Sequence, residues 1–119
     1  MTSPTPRGPF RLVTVNNVPE RAKRLIGRMV EELKDRYTID YVGNCTSKEE
    51  VEPKVRELRP DILFCASMWT VEESNEMRET ARSIIPKIKT YAIPHGLQVE
   101  RGPDAIVEHL VEQVPLLLG

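Results

Sequence analysis

The sequence predicts an α/β fold, a three-layer α/β/α sandwich on a parallel sheet of four strands in the order 2-1-3-4. Residues 97–100 would add a fifth if they form a stunted strand. Three observations lead there. The run Ile62-Leu63-Phe64-Cys65-Ala66 is apolar on both faces, as a central strand of a parallel sheet must be. It follows helix-spaced Val51, Val55 and Leu58 and a stop at Arg59-Pro60. Strand-like and helix-like segments then alternate four times with short connections, which specifies helices on both faces of the sheet.

The elements follow in order. Residues 1–9 are rich in Pro, Ser and Thr and offer little to bury, so a disordered tail is expected, followed by one domain over residues 10–119. Leu12-Val13-Thr14-Val15 reads as the first strand, Asn16-Asn17 breaks it, and Pro19 sits where a helix accepts proline, in its first turn. Ala22, Leu25, Ile26, Met29, Val30 and Leu33 share one helical face, with Glu20–Arg24 and Glu32–Arg36 as exposed four-apart pairs. Thr38-Ile39-Asp40-Tyr41-Val42 alternates like an edge strand, and Gly43-Asn44 is expected to turn the chain. Ser47 and Glu50 have capping-box spacing, while Pro53 demands a kink or a late helix start.

After the central strand, Thr70 and Glu73 form a second capping box. The helix they open should bury Val71, Met77, Ala81, Ile84 and Ile85 and end at Pro86. Residues 88–93 make the fourth strand, which Pro94-His95-Gly96 terminates. Pro103 and Asp104 open a last helix carrying Ile106, Val107, Leu110, Val111 and Val114, and Pro115 should close it.

Composition excludes several classes of function. The chain has 119 residues and a net charge of −1, from 17 Lys plus Arg against 18 Asp plus Glu, so no phosphate-neutralising basic surface of the nucleic-acid kind is implied. No apolar run approaches the roughly 20 residues that span a bilayer, and residues 1–9 contain nothing like a secretion signal. Cys45 and Cys65 lie in no metal-ligand or Cys-x-x-Cys spacing, which fits a reducing cytoplasm. Cys45 should be accessible after the second strand, and Cys65 should be an inert packing residue.

In an open parallel sheet, ligands gather beyond the carboxyl ends of the strands, where the strand order reverses. This places Asn16, Asn17, Ser67, Trp69 and His95 around one rim as candidate ligand-binding residues, with Met68 among them. Each has a plainer reading. Asn16 and Asn17 can close their own turn, Thr70 can cap the amides behind Ser67, and Trp69 can cover the end of the core. His95 lacks an evident nucleophile and orienting carboxylate, so no catalytic residue is expected. His109 should lie on the surface. Amides in place of carboxylates leave a hard cation without charged ligands, so no metal is expected. The loop Asn16-Asn17-Val18-Pro19 has no glycine, which removes both the dinucleotide fingerprint and the phosphate loop with its lysine. It also lacks the small hydroxyl residues of a flavin phosphate loop, so no cofactor is expected.

The stretch Ile39-Asp-Tyr-Val-Gly-Asn-Cys-Thr-Ser-Lys-Glu-Glu-Val51, continued by Val55-Arg-Glu-Leu-Arg-Pro-Asp-Ile-Leu-Phe64, resembles the receiver domains of two-component response regulators, which have a flavodoxin-like fold. The likeness covers about the first 70 residues. It implies a signalling module whose acidic pair after the first strand would hold Mg²⁺, and whose phosphate-accepting Asp would end the third. Here those positions are Asn16, Asn17 and Ala66. No clear hydroxyl stands by residues 92–94, and the lysine of a fifth strand is missing. The resemblance therefore implies a degenerate pseudo-receiver that cannot be phosphorylated on Asp. The segments Arg59-Pro-Asp-Ile-Leu63 and Lys89-Thr-Tyr-Ala-Ile-Pro-His-Gly-Leu97 are also similar to parts of two-domain glycosyltransferases, for whose second domain this chain has no room.

The resulting expectation is a non-enzymatic regulatory or assembly module acting through a protein partner or a homodimer, without nucleic acid or membrane. The alternative is a small-ligand or nucleotide-binding domain with its site on the rim. Leu110, Val114, Leu116, Leu117 and Leu118 are the candidate interface, because the last helix and its tail carry more apolar residues than one buried face requires. Folding of that tail over the amino ends of the strands is the competing expectation.

Overall fold

A computed structural model describes residues 6–118 and has the predicted architecture. Strands β1 (Arg7–Val15), β2 (Tyr37–Cys45), β3 (Ile62–Cys65) and β4 (Lys89–Ala92) form one parallel sheet in the order β2-β1-β3-β4. Helices α1 (Pro19–Leu33), α2 (Val51–Leu58), α3 (Val71–Ile84) and α4 (Leu97–Leu118) connect or follow them.

The central strands explain the layering. Ile62 and Phe64 face α1 and α4, whereas Leu63 and Cys65 face α2 and α3, as the two-residue period of a strand requires. Leu12, Met29, Leu110 and Val114 complete the first layer; Val13, Val15, Val55 and Met77 complete the second. The Arg59-Pro60-Asp61 signal has a local cause. Arg59 ends α2 in the left-handed region at φ 48°, Pro60 is buried, and the Asp61 carboxylate accepts the Arg11 backbone N–H at 2.9 Å. With Asp61 N–H donating to the Arg11 carbonyl at 2.8 Å, this clamp sets the register of β3 against β1.

Several local expectations are corrected. The first strand begins at Arg7, ahead of the expected start at Phe10, while residues 1–5 of the expected tail lie outside the described residues. Gly43-Asn44 does not turn: β2 continues to Cys45, with a register shift around Val42. There Asn44 is held inside the sheet, its Oδ1 accepting from Thr14 Oγ1 at 2.6 Å and its Nδ2 donating to the Asn16 carbonyl at 2.9 Å. Cys45 is consequently fully buried rather than accessible. The exposed pairs on α1 are not formed; Arg28 pairs instead with Asp104 and Lys34 with Glu31.

Pro53 gives the late start expected of it. A single 3₁₀ turn, Lys48–Glu50, precedes α2, which places Pro53 in the first helical turn where no backbone donor is lost. The Glu50 carboxylate reaches back to the Thr46 backbone N–H at 3.0 Å, and Ser47 makes no capping bond to the backbone. The Thr70–Glu73 box is complete in both directions, at 3.1 Å each way. Val71, however, is 68% exposed, and Ser74 takes the inward position.

The last third of the chain departs most from expectation. Residues 97–100 are helical, so the described residues hold four strands and no stunted fifth. Gly102, at φ 81° and ψ −179°, breaks α4 in two, and Pro103 opens the longer segment as predicted. That segment runs through Pro115 to Leu118. Leu110, Val114 and Leu118 are buried in the core rather than presented as an outward patch, and Leu118 borders, with Phe10, Pro60 and Ile88, an open pocket at the amino ends of the strands. Leu117 is half-buried against the same core, leaving Leu116, 76% exposed, as the one fully outward member of the expected patch. His109 is half-buried, its Nε2 hydrogen-bonded to the Tyr91 hydroxyl at 2.6 Å.

Candidate functional site

Strands β1 and β3 end side by side, and their following loops form the crevice. Asn16 extends β1 by one bond, its N–H donating to the Cys45 carbonyl at 2.8 Å. Its side chain then turns the chain, Oδ1 accepting the Val18 N–H at 2.8 Å and so holding the entry to α1 before Pro19. Asn16 is buried and Asn17 exposed; the Asn17 N–H lies 3.4 Å from Met68 Sδ. Across the gap, Ala66 presents a methyl group. Ser67 is buried, its Oγ accepting the Gln98 N–H at 3.3 Å and its carbonyl the Gly96 N–H at 2.9 Å. Ser67 thereby ties the rim to the first turn of α4.

The expected rim is divided in two. Asn16 and Ser67 line a crevice on the α1/α4 side, about 280 Å³ to its open mouth, together with Arg21, Ala66, Met68 and Gln98. A more apolar recess with a cavity volume of about 20 Å³ adjoins it, sharing Asn16 and Ala66 and reaching Thr14 and Phe64. Trp69 and His95 line a different pocket, of about 310 Å³, between α3 and the end of β4, with Ser74, Asn75 and Arg78. Asn17 lines neither.

Trp69 and His95 are held by internal bonds. The indole Nε1 donates to the Val15 carbonyl at 2.8 Å, and His95 Nδ1 donates to the Trp69 carbonyl at 2.8 Å, which places the ring proton on that nitrogen. In the same pocket, the buried Nε of Arg78 has no hydrogen-bond partner among the described residues, although its Nη2 donates to Asn75 Oδ1.

Electrostatics separates packing groups from reactive ones. Burial pushes both thiols up to about 12, so neither Cys45 nor Cys65 supplies thiolate near neutrality. Burial likewise raises the Tyr41 hydroxyl, against the opposing hydrogen bond from Thr14. Among the described residues no group of three or more His, Cys, Asp or Glu side chains could hold a metal ion. The donors at the crevice agree with this: they are amide and hydroxyl oxygens already engaged within the protein, and Ala66 supplies none. No described helix is long and apolar enough to cross a membrane.

Reading the sequence for strand-end loops found Asn16 and Ser67 but missed Arg21 and Gln98. Arg21 falls two positions after Pro19, in the first turn of α1, so its place at the rim was implicit in the helix start. Gln98 escapes notice because the sequence gives residues 97–100 no element beyond a conditional stunted strand.

No protein-family model matches the chain, and no curated protein sequence matches it. Solved structures do. The response regulator domain of Thermotoga maritima CheB superposes with a TM-score of 0.67 at 12% identity, covering 92% of this chain and 96% of that one. The Neurospora crassa QDE-2 AGO MID domain gives 0.59 at 14% identity, covering 92% and 99%. The isolated REC domain of Salmonella enterica serovar Typhimurium RcsB, solved with the phosphomimetic BeF3−, gives 0.56 at 8% identity, covering 85% and 73%. At such identities the likeness is one of fold alone, and that fold is the flavodoxin-like α/β sandwich of receiver domains.

Proposed function

We propose that this chain is a regulatory module that uses a receiver-type fold to contact other proteins and is not switched by phosphorylation of an aspartate. The observation that carries the reading is the chemistry at the crevice. Asn16, Asn17 and Ala66 occupy the ends of β1 and β3, where the resemblance to receivers would require two metal-binding acids and a phosphate acceptor. A methyl group cannot accept a phosphoryl group, and two neutral amides do not offset a divalent cation as carboxylates do. Asn16 Oδ1 is further committed to the Val18 N–H, so Mg²⁺ does not fit this donor set.

The protein-contact half of the reading is supported by the sheet edge. Strand β4 pairs with β3 alone, so alternate backbone groups along it point outward unpaired, a ready site for a partner's strand. A homodimer is the simplest version of such a contact; separately, Leu116 is the member of the expected apolar patch that remains exposed. Two unpaired cysteines accord with placement in a reducing cytoplasm.

The test is incubation with acetyl phosphate and Mg²⁺, read by intact mass and by acid lability. The mass is expected to stay unchanged; an acid-labile phosphoryl adduct would overturn the assignment. Light scattering at two protein concentrations distinguishes self-association from docking onto a different protein.

A further inference from the structure

Helix α1 lays a row of guanidinium groups along the crevice. Arg21, Arg24 and Arg28 line one groove of about 490 Å³ with Gln98 and Pro103, and Arg21 and Gln98 also line the crevice beside Asn16 and Ser67. Groove and crevice are thus neighbours that share three lining residues, Arg21, Leu25 and Gln98. The spacing, three and then four residues, is that of one helical face, so the three arginines point the same way. Their charge is only partly offset. Arg28 pairs with Asp104 at 2.9 Å, whereas Arg21 and Arg24 have no carboxylate within salt-bridge distance among the described residues. Asp104 apart, no acidic side chain borders either space.

We infer that this crevice is a binding site for a phosphate group, as inorganic phosphate or a small phosphomonoester. The charge arithmetic selects the ligand. Two uncompensated guanidinium groups match a phosphomonoester, which carries about −1.5 to −2 at neutral pH, better than a single carboxylate. Each arginine can offer two parallel N–H donors to phosphate oxygens, a geometry that lysine lacks. The amino terminus of α1 adds little, because Pro19 brings no N–H, the Arg21 and Ala22 N–H groups donate to the Val18 carbonyl, and Glu20 stands in the first turn; the arginine side chains carry the site. The Gln98 side-chain amide stands by as a neutral donor, and the small apolar recess under Ala66 adjoins the crevice.

The inference goes beyond the regulatory reading and does not depend on it. It concerns reversible, non-covalent capture of phosphate, whereas the acetyl phosphate test looks for a covalent adduct, so either can fail alone. It also differs from the rim read in the sequence, since Trp69 and His95 lie in the other pocket and take no part.

The experiment titrates the full chain with inorganic phosphate and with methyl phosphate, followed by ¹H–¹⁵N NMR of the backbone and of the arginine Nε–H groups. Sodium chloride and sodium acetate at matched ionic strength serve as controls. Saturable shifts at Arg21, Arg24, Ala66 and Gln98 are expected with both phosphates, stronger than with acetate. Tighter binding of methyl phosphate than of inorganic phosphate would assign the recess to the organic part; equal binding would make inorganic phosphate the ligand. The double variant R21Q/R24Q is expected to weaken binding at least about tenfold, the loss of charged hydrogen bonds. R24Q alone, at an exposed position, guards against misfolding and should weaken it measurably. R36Q, in the turn beyond the carboxyl end of the same helix, should leave it unchanged. Shifts reproduced by chloride, or equal weakening by R36Q and R21Q/R24Q, would overturn the site.

Discussion

The indole Nε1 of Trp69 donates a 2.8 Å hydrogen bond to the carbonyl oxygen of Val15, the last residue of β1. The same oxygen accepts the Ala66 backbone N–H at 3.0 Å, so both its lone pairs are used where β1 and β3 end. Trp69 therefore works as a strap across the strand ends, and its carbonyl in turn anchors His95.

Replacing Trp69 by Phe keeps most of the ring volume and removes the strap. Because Val15 retains the Ala66 bond, the expected cost is that of one net hydrogen bond, about 1 kcal/mol. Urea denaturation reads it as a lowered midpoint at unchanged slope; an unchanged midpoint would show that the indole serves only as packing.

The apolar tail makes a contrasting pair. Leu110 is 1% exposed, and Leu110→Ala should cost about 2–5 kcal/mol through lost burial and the cavity left behind. Leu116 is 76% exposed, and Leu116→Lys should change stability by less than about 0.5 kcal/mol. If the chain self-associates through its tail, the second substitution alone shifts light scattering toward the monomer.

Gly102 sits at φ 81° and ψ −179°, a region essentially restricted to glycine, yet a methyl group there would meet no atom within 4 Å. Gly102→Ala should therefore destabilise by conformational strain alone, about 1–3 kcal/mol. The loss should be regained where the α4 break relaxes, visible as faster amide exchange over residues 97–102. A variant as stable as the parent would place the glycine outside any energetic role.

Alkaline pH should weaken the fold in a defined window. The thiols of Cys45 and Cys65 are pushed from 9.0 up to about 12 by burial, and the hydroxyls of Tyr41 and Tyr91 are also raised above 10.0 by burial. Above pH 9 the unfolded chain releases these protons first and the folded chain retains them, so stability is full below pH 9 and falls as pH rises toward 12. Each buried thiol adds a slope of about 1.4 kcal/mol per pH unit inside that window. Denaturation series from neutral to alkaline pH check it, and Cys65→Ala should flatten the decline. A flat profile through pH 11 would contradict the burial of these groups.

The order of elements was legible because each signal is local. Pro19, the Thr70–Glu73 box and Pro103 start helices where short-range rules place them, and residues 62–65 could be nothing but a buried strand. Gly43-Asn44 misled because its turn preference is weak beside the bonds that Asn44 makes to Thr14 and Asn16, partners 30 and 28 residues away. Residues 97–100 stayed open between helix start and stunted strand because a four-residue polar and apolar mixture has no period of its own. Val71 misled because it shares a helical face with Ser74 and Met77 and yet is the first residue of α3, at the end of that face where it stays exposed.

Strand order, layer assignment and the lack of acid at the crevice follow from the sequence alone, since hydrophobic period, short right-handed connections and residue identity are all written along the chain. Which rim residues share a pocket was decided by tertiary structure. Ser67 and His95 both follow strands, but the body of β3 separates the faces onto which they open, and the arginines of α1 reach the crevice because that helix packs beside α4. Such proximity depends on packing angles between elements distant in sequence, and no one-dimensional pattern carries it.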